Sequence, residues 1–124
     1  MSARQFPAGF YEGVRRFAAG DYFEAHEAFE ECLEAVESDD RWDLIVALVQ
    51  VAVGYHKLAS GHPGAERMLG LGREKLLAFP DVAFGVAVAA LRARIAADLE
   101  RPSAQALHDD PPRITVVRTP AQPL

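Results

Sequence analysis

Among the residue types able to move protons or hold a cation, His26 and Glu30 have the i, i+4 spacing that brings two side chains together on one helix face. That geometry serves a charge pair, a general acid/base couple or two ligands of a divalent metal. Both lie in Asp21-Tyr22-Phe23-Glu24-Ala25-His26-Glu27-Ala28-Phe29-Glu30-Glu31, a stretch with one histidine and five carboxylates. At about 100° per residue, Tyr22, Ala25, Phe29, Cys32, Leu33 and Val36 fall on one apolar arc, with His26 and Glu30 at its edge. Glu24, Glu27, Glu31 and Glu34 point away as a solvated acidic face. His-Glu-x-x-Glu lacks the second histidine of the zinc-protease His-Glu-x-x-His, so a metal site would need a ligand from another helix, and His56 is the candidate. Two histidines and one carboxylate would make a divalent-metal site with open positions. The plainer reading keeps His26 in an ordinary helix salt link and His56 as a hydrogen-bonded core residue. Gln50 is a neutral amide that can complete a polar network but exchanges no protons near pH 7. His62, between Gly61 and Pro63, reads as a solvent-exposed turn residue.

The elements that must position these groups are helices. The pattern predicts an all-α fold, a single five-helix bundle with helices at about 7–19, 21–37, 41–60, 63–78 and 82–101, followed by an extended proline-rich tail. Phe10, Val14 and Phe17 face the core from the first helix, and Gly20 ends it. Asp21 is placed to cap the second helix, with Glu24 completing a capping box. The third helix, from Trp42 to Ala59, is apolar almost all round and belongs at the centre. Its narrow polar stripe holds Asp43, Gln50 and Lys57, while His56 projects on another side. Gly70 and Gly72 weaken the fourth helix, which close approach of a neighbour would offset. The fifth helix begins at Asp81 or only after Gly85. Five prolines from Pro102 onward exclude a sixth long helix. Within the tail Ile114-Thr115-Val116-Val117 is β-prone, and a groove on the bundle or on a second subunit would receive it.

A chain of 124 residues, 50% hydrophobic and 25% charged, has the composition of one globular domain, with residues 1–101 as bundle and 102–124 as tail. The net charge of -5 argues against nucleic acid and against an anionic membrane surface as partners. Cys32 is the one cysteine, and its place on the apolar arc suits a small buried hydrophobe. The amino end lacks an apolar signal core and no greasy run is long enough to span a bilayer, which leads to a cytoplasmic expectation. No glycine-rich phosphate loop and no Ser/His/Asp or Cys/His set is visible, so nucleotide-dependent chemistry has no support.

Three pieces resemble a known family. They are Phe17-x-x-Gly20-x-Tyr22-Phe23-Glu24-Ala25-His26-Glu27-x-x-Glu30, then Val49-Gln50-x-Ala52-x-x-Tyr55-His56, then Gly61-x-x-Gly64-Ala65. Their order and spacing are similar to those of the small all-helical family catalogued as domain of unknown function 309. The resemblance implies a compact helical bundle with a polar cluster from the second and third helices, and supplies no activity. The residues it carries over are His26, Glu27, Glu30, Gln50 and His56. Leu33 stands where the family usually has tryptophan, and His62 where it usually has asparagine.

Three functions fit these residues. One is a helical binding or interaction module, able to assemble as a homo-oligomer, whose pocket of His26, Glu30, Gln50 and His56 receives a small polar ligand or a peptide segment. Another is a hydrolase-like enzyme in which a metal, or His26 and Glu30 as catalytic pair, activates water. The third is a structural hydrogen-bond network that fixes helix register. The residues name no cofactor and no particular metal.

Overall fold

A computed structural model describes residues 6–117. Five helices of the expected order are present: α1 (Ala8–Ala18), α2 (Tyr22–Glu31), α3 (Trp42–Ala59), α4 (Ala65–Leu76) and α5 (Val88–Glu100). A six-residue α6 (Ala104–Asp109) and a two-stranded hairpin, β1 (Val82–Ala83) and β2 (Val86–Ala87), were not expected.

The apolar pattern explains the core. Phe10 and Phe17 of α1 are buried with Tyr22, Ala25 and Phe29 of α2, and Val14 packs half-buried against them. α3 buries residues along its whole length, from Leu44 and Ile45 to Tyr55 and Leu58, and packs against α2, α4 and α6. It is the central helix that its nearly all-round apolar surface implied. Cys32 is buried, donates its thiol hydrogen to the Ala28 carbonyl at 3.2 Å, and has its pKa pushed up by desolvation, as suits an inert packing residue.

α3 and α4 approach closely through two glycines. A Cβ on Gly54 would lie 2.8 Å from the backbone N of Leu69, and one on Gly72 would lie 2.8 Å from Val51 Cγ2. The compensation expected for Gly72 is therefore present, whereas Gly70 faces open space and has none.

Four expectations are corrected. Asp21 occupies the N-cap position of α2, but its side chain makes no capping hydrogen bond; Oδ2 sits 3.6 Å from Arg16 Nη1, so the capping box does not form. α2 stops at Glu31 instead of continuing to 37, and a 3-10 turn over Glu34–Val36 follows. Its end is crowded with Glu30, Glu31 and Glu34 and has no basic residue in the last turn, which opposes the helix dipole. The tighter bonds Cys32 N–H to Phe29 O and Leu33 N–H to Glu30 O still let Val36 reach the core.

The fifth helix starts at Val88, which corrects the bound at 82 and agrees with the alternative of a start only after Gly85. Phe84 (φ 52°) and Gly85 (φ 81°) both take left-handed backbone conformations and close a two-residue hairpin between β1 and β2. The tail also differs from a purely extended segment. Ser103 accepts from the Ala106 N–H at 3.1 Å and caps α6, which fits between Pro102 and Pro111. Beyond it Ile114 is buried, and the β-prone segment joins β2: Ala87 N–H donates to Thr115 O at 2.9 Å, and Val86 bridges Val116. The rest of the tail, 118–124, lies outside the described residues. Among those described, no helix is long and apolar enough to cross a membrane.

Candidate functional site

α2 and α3 position their histidines at one end of their shared face. The register set by Phe29 and Tyr22 in the core leaves Phe23 and His26 on the flank of α2 nearest the carboxyl end of α3. There Val53, His56, Lys57 and Ser60 recur at i, i+3, i+4 and i+7, and His62 follows in the turn. These seven side chains line an open cavity of about 270 Å³.

The Phe23 ring organises the mouth. It is 45% exposed, and its centroid lies 5.0 Å from the His26 ring and 5.4 Å from the His56 ring. Its exposed face is apolar surface within reach of a ligand, flanked by two imidazoles.

Hydrogen bonds fix the tautomers of two of the histidines. His26 Nδ1 is 2.7 Å from the Phe23 carbonyl, which can only accept, so Nδ1 carries the hydrogen. In the neutral ring Nε2 then holds the lone pair. His62 is the reverse: its Nδ1 accepts from the Gly64 N–H at 3.2 Å, leaving Nε2–H as a donor. Ser60 Oγ donates to the His56 carbonyl at 2.8 Å, so the hydroxyl oxygen can still accept. The ammonium of Lys57 has no ion-pair partner among the described residues.

The candidates named from the sequence are only partly brought together. His26 and His56 share the cavity. Glu30 does not line it; Oε1 is 3.8 Å from His26 Nε2, and the side chain is 57% exposed, a loose charge pair at the rim. Glu27 is exposed on the outer face of α2. Gln50 does not line the cavity either: its Oε1 is buried with no hydrogen-bond partner among the described residues. The four-residue pocket of His26, Glu30, Gln50 and His56 is thus replaced by one built from His26, His56, His62, Lys57 and Ser60 around Phe23 and Val53. No group of three or more His, Cys, Asp or Glu among the described residues is arranged to hold a metal ion, so His26, Glu30 and His56 do not converge as ligands. Lys57 and His62 were legible only as a patch at the end of α3, which needs the helix and its following turn read as one surface.

A second polar cluster, unforeseen from sequence, sits across α3. Tyr55 donates its hydroxyl hydrogen to Asp98 Oδ2 at 2.5 Å, and Arg94 Nε donates to the same oxygen at 2.9 Å. Arg94 also donates to the Asp110 carbonyl, tying α5 to the end of α6. Tyr22 stacks on Tyr55 with centroids 5.6 Å apart, and its own hydroxyl is buried with no hydrogen-bond partner among the described residues. Burial pushes the Tyr22 pKa up to about 12, and burial followed by the bond to Asp98 pushes Tyr55 up as well.

No curated protein gives a significant match to this chain. Residues 10–69 do match the profile of a family described as Domain of unknown function (DUF309). The matched span contains all seven cavity-lining residues and leaves out the hairpin, α5 and the tail, including Arg94 and Asp98. The family that the sequence motifs resemble, domain of unknown function 309, is thus the one whose profile residues 10–69 match.

Proposed function

We propose that the protein is a binding module whose cavity between α2 and the end of α3 receives a small polar ligand. The observation that carries this reading is the convergence of three histidines, a lysine and a serine from two helices and a turn onto one solvent-open cavity. A volume of about 270 Å³ lies near the lower end of small-molecule sites, which suits a fragment-sized compound or a single peptide side chain. The exposed Phe23 ring supplies the apolar wall that such sites combine with a few placed polar groups. A purely structural network fits less well here, because His56 is exposed and His26 bonds within its own helix.

A ligand-observed NMR screen of polar fragments, run on wild type and on His56→Trp, tests the reading. Hits expected with wild type should be lost when the tryptophan fills the cavity; hits that persist in the variant, or none with wild type, would count against it.

One observation favours a catalytic second reading. The Nδ1–H bond to Phe23 orients His26 as a general base would be oriented, with Nε2 basic. Hydrolysis of an activated ester above the buffer rate by wild type, and not by His26→Gln, is the expected sign; equal rates would remove it.

A further inference from the structure

We infer that the ligand of this cavity is an organic acid: a carboxylate joined to an apolar body, either as a free small acid or as the carboxyl terminus of a peptide. The inference rests on the binding reading above and deepens it.

Charge selects the class. The whole chain carries -5, yet the residues lining the cavity include Lys57 and three histidines and no aspartate or glutamate. Glu30, the carboxylate beside them, faces His26 from outside the lining. Lys57 therefore presents a full positive charge with no ion-pair partner among the described residues, at the boundary of a half-enclosed site. There an incoming anion is screened less than on open surface. His62 adds a directed donor, because its Nδ1 is engaged by the Gly64 N–H and only Nε2–H is left to bind outward.

Shape selects the rest of the ligand. Phe23 and Val53 form the apolar part of the lining, and the Phe23 ring is the most exposed aromatic surface at the site. A flat or branched hydrocarbon covering that ring gains burial while its carboxylate meets Lys57 and His62. A bare inorganic anion would leave the ring wet, and a cation would meet Lys57 with repulsion.

Isosteric pairs test this directly. Backbone amide shifts of the full chain are followed by NMR during titration with benzoate against benzamide, and with N-acetylphenylalanine against its amide. The expected result is binding of an acid, with shifts at Phe23, His26, His56 and His62, and at least tenfold weaker binding of its neutral isostere. Benzoate alone would identify a free small acid, and N-acetylphenylalanine alone a peptide terminus; both would support the class. Lys57→Met, which keeps the packed stem, should weaken the acid about tenfold, the loss of one charge-assisted hydrogen bond. Equal binding of acid and amide would overturn the acid assignment while leaving the cavity as a binding site. Absence of any shift at the cavity with all four compounds would overturn the acid and the binding reading for these bodies together.

Discussion

Placing the same methyl group on two glycines of the α3–α4 pair should change stability in opposite directions. At Gly70 a new Cβ meets nothing within 4 Å, so Gly70→Ala keeps only the helix-propensity gain of about 1 kcal/mol. At Gly54 it would stand 2.8 Å from Leu69 Cγ, 2.8 Å from Leu69 N and 3.0 Å from Leu69 Cα. Nonbonded carbon contacts are optimal at roughly 3.5–4.0 Å, and two of the three atoms here are backbone, so α4 as a whole must move. Overpacking of that kind costs about 1–3 kcal/mol. Set against the same propensity gain, Gly54→Ala should lose up to about 2 kcal/mol. The two variants should therefore differ by the overpacking cost, about 1–3 kcal/mol, which for a chain of this size is a gap of roughly 4–12 °C in Tm. Urea unfolding followed by circular dichroism measures both, and thermal melts provide a second reading. If Gly54→Ala proved as stable as Gly70→Ala, the close α3–α4 approach that holds Val53, His56 and Lys57 in place would be wrong.

Further outcomes follow from the same fold. Tyr55→Phe removes the hydroxyl donor to Asp98 and should lower stability by about 1.5–3 kcal/mol in urea unfolding, the range for a bond to a charged group; an unchanged midpoint would deny that bond. Tyr22 titrates near 12 in the fold and near 10 when unfolded, so the stability it contributes is complete below about pH 10 and is lost as pH rises through about 12. Unfolding midpoints measured across that window should fall for wild type and fall less for Tyr22→Phe. Gly85→Ala places a side chain at φ +81° and should cost about 1–2 kcal/mol by loosening the hairpin; a neutral effect in the same assay would argue against the left-handed turn.

Much of the bundle was legible because its signals are cooperative. Phe10, Val14 and Phe17 repeat at helical spacing, and α3 is apolar over so many turns that only a central position satisfies it. The hairpin was not legible, since its turn depends on Phe84 at φ 52°, a conformation that residue type alone argues against. Asp21 and Glu24 matched the capping-box pattern, yet Arg16 one turn back offered Asp21 a charged partner that the local pattern ignores. At the site, His26 and His56 were found from residue type and family motif. Gln50 was misplaced because a helix position fixes a direction and not the depth at which a neighbouring helix covers it. Lys57 and His62 were missed because their meeting depends on how the α3–α4 turn folds back beside α2. The Tyr55–Asp98–Arg94 cluster joins residues far apart in the chain, and no spacing rule reaches that distance.

The imidazole nitrogens of His26 and His56 test the central claim most directly. A long-range proton–nitrogen NMR spectrum of the selectively labelled histidines should show His26 with its hydrogen on Nδ1, and both rings should shift when a bound fragment enters the cavity. A His26 ring with its hydrogen on Nε2, or fragment binding that leaves both rings unmoved, would contradict it.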